Sequence, residues 1–344
     1  MPPKVPPLED VPVPASPPAV DALRQRYLAE IVASADKLAK DDVSVGDLKL
    51  IVGALKEMRY AFKLFAPYRA IRKVSTFGSA RTRTGDPVFK LAEQFAARIA
   101  DCGYMVITGA GPGIMEACQR GAGRARSFGV NIRLPFEQTA NTVIYGDPKL
   151  INFKYFFTRK LLFIKEADAV VLFPGGFGTH DEGFETLTLL QTGKTRPIPL
   201  VLLDRARGTY WKTWQRYVED HILRRGMVSP DDLALYRVTD SVEDAVNEIT
   251  NFYRVYHSSR YVGDWLAIRL LRPLPEDYVA TLAADFGDIA KDGAFVQRAA
   301  FSVEHTDGDV FHLPRLALRF DRIHFGRLRQ LIDRINAAPP PTAA

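Results

Sequence analysis

The chain has 344 residues and carries 46 Lys and Arg against 40 Asp and Glu, a net charge of +6. With 47% hydrophobic and 25% charged residues it has the balance of a globular protein, which excludes global disorder. No apolar run approaches the ~20 residues that a helix needs to cross a bilayer. Two cysteines, Cys102 and Cys118, exclude a disulfide framework and a four-cysteine zinc site. Neither a signal peptide nor a lipidation motif is visible, so a soluble cytoplasmic protein is expected. The length suggests about two domains.

Residues 1–20 hold eight prolines and are read as an unstructured tail. Residues 21–70 read as a helical extension. Leu23, Tyr27, Ile31, Ala35 and Leu38 recur at helical spacing, as do Leu48, Ile51, Leu55, Met58 and Phe62. Such faces suit packing on the next domain or on another subunit. From about residue 71 to 255, short apolar runs alternate with glycine-rich turns and helical patterns. Val74–Phe77, Tyr104–Thr108, Val130–Leu134, Ala169–Phe173 and Ile198–Leu203 are the predicted strands. Several are apolar on both faces, as buried parallel strands are. The alternation predicts a Rossmann-like, doubly wound parallel α/β sheet, with ligands at the carboxyl ends of its strands.

Residues 256–336 change rhythm again. Trp265–Leu271 reads as a strand, Glu276–Ala290 as a helix, Arg315–Phe320 as a half-buried strand and Phe325–Ile335 as a closing helix. This predicts a small α+β module with a ferredoxin-like arrangement. Residues 337–344 read as a second unstructured tail.

Chemistry concentrates in the turns. A predicted strand runs into Pro174-Gly175-Gly176-Phe177-Gly178-Thr179, and a helix follows. Glycines let backbone N–H groups turn inward, and the helix start adds partial positive charge, which together make an anion cradle suited to phosphate. Thr179 can donate a hydroxyl, Asp181 and Glu182 fall in the first helical turn, and Glu185 follows on nearly the same face. A second turn, Thr108-Gly109-Ala110-Gly111-Pro112-Gly113-Ile114-Met115-Glu116, departs from the dinucleotide fingerprint, and the next strand carries Asn131 in place of an acid. NAD is therefore disfavoured, whereas the sugar and phosphate of a nucleotide suit the turn. A third turn holds Ser79, which can touch the same ligand. In Phe153–Phe163 the aromatic face reads as core, and Arg159 and Lys160 can reach the cleft. The six histidines lack metal-ligand spacing, and only His180 lies in the anion turn. No cofactor or metal is expected.

At these residues the chain resembles a known family. Pro174–Glu182 matches Pro-Gly-Gly-x-Gly-Thr-x-x-Glu, the signature of the LONELY GUY (LOG) family, and Arg159-Lys160 matches its upstream Arg-Lys pair. The Phe-Gly-Ser-Ala-Arg, Gly-Pro-Gly-Ile-Met-Glu and Gln191-Thr-Gly-Lys194 segments are similar to its longer bacterial members. The resemblance covers roughly residues 71–205. It implies a phosphoribohydrolase that splits a nucleoside 5′-monophosphate, such as AMP or a cytokinin riboside monophosphate, into base and ribose 5-phosphate. It also implies a homodimer or higher oligomer.

By motif position the resemblance assigns the 5′-phosphate to Gly175, Gly176, Gly178 and Thr179, catalysis to Glu182 and Arg159 with Lys160 alongside, and a ligand contact to Thr188. The substrate-binding set expected in full adds Asp181, Glu185, Ser79, Gly109, Gly111, Gly113, Glu116 and Asn131. His180 stands where an apolar residue is usual, and Gly183 where a bulkier one is. Older labels call such proteins lysine decarboxylases, a reaction that needs pyridoxal phosphate. Two alternatives share the fold: a ribosyl-transfer enzyme, and a nucleotide-sensing or single-strand-binding protein similar to the DNA-processing protein A family. Asp181, Glu182 and Glu185 would repel a polyanion, which disfavours nucleic acid.

Overall fold

The computed structural model describes residues 18–133 and 139–340. The tail expected over 1–20 lies outside the described residues up to 17, and its end is helical instead, because α1 (Pro18–Leu38) already begins at its last proline. Proline is tolerated in the first turn of a helix, where its missing N–H has no partner to lose. A second helix, α2 (Val45–Phe65), opens on a capping box in which the Ser44 hydroxyl accepts the Asp47 N–H and Asp47 accepts from Ser44.

The body alternates strand and helix as the sequence predicts. In chain order it runs β1 (Lys73–Phe77), α3 (Pro87–Asp101), β2 (Met105–Thr108), α4 (Ile114–Ala122), β3 (Ser127–Ile132), β4 (Leu150–Phe153), α5 (Phe156–Lys165), β5 (Ala169–Leu172), α6 (Phe177–Gln191), β6 (Leu200–Leu203), α7 (Tyr210–Tyr217), β7 (Arg237–Thr239) and α8 (Val242–Phe252). The seven strands form one parallel sheet in the order β4-β3-β2-β1-β5-β6-β7. Every residue of β1, β2, β3, β5 and β6 is buried; β5 and β6 are wholly apolar, whereas β1 and β3 bury Lys73, Ser75, Thr76, Ser127 and Asn131 among apolar neighbours. Leu134 of the third predicted strand lies outside the described residues. One face of the sheet is covered by α3, α4 and α8 through Phe95, Ile99, Ala117 and Ile249. The other is covered by α2, α5, α6 and α7 through Phe65, Phe163, Leu190 and Trp211.

Strand order reverses between β1 and β5. At such a switch point the two flanking turns diverge to opposite faces and leave a crevice.

The C-terminal module comprises β8 (Tyr256–Val262), β9 (Trp265–Leu270), α9 (Glu276–Phe286), β10 (Ala290–Arg298), β11 (Arg315–Phe320) and α10 (Phe325–Asn336). Its antiparallel sheet has the order β10-β11-β9-β8. The element order is ββαββα, which corrects the expected ferredoxin-like arrangement, since that fold needs a βαββαβ order. β8 and β10 are missing from the predicted set because most of their residues are only partly buried or exposed. The module rests on the body. The Arg329 guanidinium pairs with Glu248 of α8, and the Phe325 ring lies on Gly193 just beyond α6. Tyr253 donates its hydroxyl to the Asp168 carbonyl at 2.6 Å, with Arg72 stacked on its ring. The expected tail over 337–344 begins ordered, with Ala338 buried in the module core, and residues 341–344 lie outside the description.

Candidate active site

A cleft of about 740 Å³ opens at the switch point. Its wall is made by the β1 turn (Phe77–Arg81), Gly109 and Met115 after β2, Phe156 and Arg159 of α5, and residues 175–182. Three glycine-rich turns and the basic helix, far apart in sequence, thus meet in one place.

Ser79 joins the turns through its backbone. Its N–H donates to the Pro174 carbonyl at 3.2 Å, and its own carbonyl accepts the Ile114 N–H at 3.1 Å. Gly113 sits on the far side of that contact with φ +70, and a Cβ there would collide with the Ser79 carbonyl. Only glycine serves at such a position.

The turn expected to cradle an anion is the start of α6. Gly176 is its N-cap, and the Thr179 and His180 N–H groups return to the Gly176 carbonyl at 3.0 and 3.2 Å. The N–H groups of Phe177 and Gly178 lie in the first turn, where a helix leaves donors for a ligand. Thr179 is buried beside Gly175. Behind the cradle, the Tyr210 hydroxyl donates to the Gly175 carbonyl, and His180 Nε2 lies 2.7 Å from the same hydroxyl. With that proton committed to Gly175, His180 must be the donor to the tyrosine oxygen. Burial lowers the His180 pKa and keeps it neutral. The residue that departs from the family pattern therefore braces the turn. Gly183, the other departure, is buried against Leu172.

Glu182 follows one turn on. It is 6% exposed, and its Oε2 is buried with no hydrogen-bond partner among the described residues. Burial raises its pKa to about 7; Lys160 and Arg159 pull it back, while Glu185 and Asp181 push it up. Arg159 donates from Nε to the Val130 carbonyl at 2.9 Å and lies over the Phe163 ring. Its guanidinium passes so close to Gly109 that a Cβ there would stand 2.6 Å from Nη2. Burial lowers the Arg159 pKa and Glu182 raises it; an arginine in this setting stays charged.

Lys160 does not line the cleft. Its ammonium bridges Asp181 at 2.8 Å and Glu185 at 3.0 Å. Burial lowers its pKa, and the two carboxylates more than reverse that. Its role is to hold the acids of α6 beside Glu182 apart from one another's charge.

Other expected ligand contacts also stand outside the wall. Glu116 pairs with Arg120 at 2.6 Å along α4. Asn131 donates to Asn152 across β3 and β4 at 3.0 Å. Gly111 is buried and its carbonyl accepts from Asn141. Thr188 is exposed and donates to the Phe184 carbonyl. Conversely, Met115, Phe156, Arg81 and Tyr210 belong to the cleft or its support and were not singled out by sequence. The aromatic face of α5 is only partly core: Phe163 is buried, whereas Phe156 and Phe157 are 55% and 52% exposed.

The fold and cleft define a Rossmann-like α/β protein with a glycine-capped helix start at its switch point. Residues 115–249 match the family model described as possible lysine decarboxylase, a LOG-family domain. No curated protein matches the chain. Among solved structures, the chain is similar to the molybdenum cofactor binding protein of Rippkaea orientalis, with 21% identity over 52% of this chain and 94% of that one and a TM-score of 0.36. It is likewise similar to the molybdenum cofactor carrier protein of Chlamydomonas reinhardtii, with 18% identity over 52% and 96% and a TM-score of 0.38. DNA processing protein A of Helicobacter pylori shows 15% identity over 52% and 80% and a TM-score of 0.34.

Proposed function

We propose that the chain hydrolyses the N-glycosidic bond of nucleoside 5′-monophosphates, AMP or cytokinin riboside 5′-monophosphates among them, to free base and ribose 5-phosphate. The observation that carries this reading is Glu182, a buried carboxylate with a lone unpartnered oxygen, in one cleft wall with Arg159 and an anion-binding helix start. The LOG-family match over 115–249 supports it.

Breaking the bond develops positive charge at the anomeric carbon, as in glycoside hydrolysis. The phosphate on the first turn of α6 fixes the sugar and contributes remote binding energy. Glu182, ionised, faces the developing charge, takes a proton from the attacking water and gives it up as the departing base is protonated, which returns the carboxylate to its starting form. A group with a pKa near 7 is matched to that task at neutral pH. Arg159, bound to a backbone carbonyl by one donor, offers its remaining donors to the phosphate or the departing base.

Lysine decarboxylation fits these residues poorly. Pyridoxal phosphate is held through a lysine; among the described residues the cleft wall has none, and the adjacent Lys160 is engaged by two carboxylates.

The test is incubation with AMP, GMP, CMP, UMP and isopentenyladenosine monophosphate, following base and ribose 5-phosphate by chromatography. Release that is lost in both Glu182→Gln and Arg159→Ala supports the proposal. No release from any monophosphate by the folded wild type refutes it and points to a nucleotide-sensing protein.

A further inference from the structure

A second cavity, of about 470 Å³, lies at the other end of the parallel sheet, beside the amino ends of β1 and β5. Sheets of this kind take their ligands at the carboxyl ends, so this cavity is separate from the cleft. Six charged side chains line it. Arg69, Lys73, Lys165 and Arg196 stand against Glu166 and Asp168, four cations to two carboxylates. Phe62 and Phe65 supply an aromatic wall.

Both carboxylates are already engaged. Asp168 accepts the Lys73 N–H at 2.9 Å, Arg196 at 3.1 Å and Arg72 at 3.4 Å, and Lys165 holds Glu166 at 2.5 Å. Donors are left over. Lys73 is only 2% exposed, and its ammonium donates to the Tyr68 carbonyl at 2.8 Å and the Ile71 carbonyl at 2.7 Å. An ammonium has three protons to give, so one is uncommitted among the described residues. Burial lowers the Lys73 pKa, Asp168 and Glu166 raise it, and Arg196 and Lys165 lower it further. A buried cation is costly until an anion and hydrogen bonds meet it. Arg196 reaches the Ala167 carbonyl and Asp168 through Nη2 alone, which leaves Nε and Nη1 uncommitted among the described residues. Arg69 is exposed and pairs with no carboxylate among them.

We propose that this cavity binds a phosphorylated small molecule carrying at least two negative charges, held by Lys73, Arg69 and Arg196. Two negative charges cancel the excess of the lining. The guanidinium forks of Arg69 and Arg196 match phosphate oxygens, and the spare Lys73 proton meets the buried end of the anion. The volume lies in the range of small-molecule sites, and the aromatic wall accepts an apolar part of the ligand. One strand and one helix join this site to the cleft. β1 starts at Lys73 and ends at Phe77 in the cleft wall, and α5 carries Arg159 in that wall and ends at Lys165. The proposal does not depend on the hydrolase reading.

The test is calorimetric titration of the full chain with inorganic pyrophosphate in chloride buffer, made in a Gly178→Asp background. That substitution sets a carboxylate in the turn at the start of α6 and keeps the probe out of the cleft; a Cβ at Gly178 meets nothing within 4 Å. The expected result is one pyrophosphate bound per chain. Adding Arg69→Ala with Lys165→Ala should weaken binding by about tenfold or more. Both side chains are exposed, and an unchanged melting temperature shows that the fold survives. Adding Lys73→Met instead should weaken binding as much, from the buried end. A Gly178→Asp protein that binds no pyrophosphate overturns the proposal. So does binding that the Arg69 and Lys165 pair leaves unchanged, because the probe then sits elsewhere.

Discussion

The Tyr210 hydroxyl donates to the Gly175 carbonyl, from a helix 35 residues further along the chain. That bond turns the carbonyl of the cradle's second residue toward α7 and leaves the N–H side of the turn to the cleft. Tyr210→Phe removes the donor and loosens the brace. A neutral hydrogen bond contributes about 1 kcal/mol net, so KM for AMP is expected to rise roughly fivefold while kcat changes less. Steady-state kinetics decides; a fall in kcat at constant KM would assign Tyr210 to the chemical step instead.

Glu182 links activity to pH. Its pKa of about 7 in the fold lies above the ordinary carboxylate value of 4.5. Turnover should therefore fall below pH 7 as the carboxylate is protonated, with a plateau above. Glu182→Gln is expected to reduce turnover roughly 10²–10³-fold. Lys160→Met removes a charge that favours ionisation, so its acid limb should move to higher pH. A pH profile of kcat/KM for the three proteins checks all of this.

The same residue makes an opposite demand on stability. Between pH 4.5 and 7 the folded protein holds the Glu182 proton more tightly than the unfolded chain, so stability falls as pH rises through that window. Above it, ionised Glu182 costs the fold on the order of 3 kcal/mol. Glu182→Gln should melt higher than wild type at pH 8, and the gain should vanish near pH 4.5. Calorimetry at the two pH values, showing no difference in the gain, would contradict the burial argument.

Two glycines should separate catalysis from folding. A Cβ at Gly109 meets Arg159 Nη2 and Met115 Sδ at 2.6 and 2.7 Å, both ends of flexible side chains. Gly109→Ala should displace Arg159 and depress activity at least tenfold, with a stability change below about 1 kcal/mol. A Cβ at Gly113 meets the Ser79 backbone carbonyl at positive φ. Gly113→Ala should cost about 2–4 kcal/mol and melt early. Paired melting curves and assays distinguish the two.

Thr188 offers a control on the family resemblance. It is exposed and bonded to the Phe184 carbonyl, outside the cleft wall. Thr188→Ala should leave kcat/KM within about twofold in the single chain's own site. A larger loss would mean that another copy brings this face to a ligand.

Much of the site was legible because its chemistry is local. Four glycines, a threonine and three acids within the eleven residues 175–185 mark a strand–helix turn whatever surrounds it. The central strands β5 and β6 were legible for a similar reason, each being an apolar run on both faces. Edge strands such as β7 and β8 carry polar residues on an open side, and no apolar run announces them. Ser79 was singled out and does stand in the cleft wall, but the backbone bonds by which it joins the turns leave no side-chain signature. Tyr210 and Phe156 acquire their places only by tertiary packing. The position of Thr188 could have been doubted from helix geometry. Six residues past Glu182 at about 100° each, it points well away from the glutamate.

The ring of Phe325 resting on Gly193 has a practical meaning for anyone shortening this protein. α6 begins at the anion cradle and ends two residues before that glycine, so one rigid rod connects the cleft to the C-terminal module. Cutting the chain after residue 255 would strip the packing from the far end of that rod and release the Arg329–Glu248 tie on α8. The αβ body is therefore not a portable unit: a trimmed version would carry every motif residue and still lose the support that aims them.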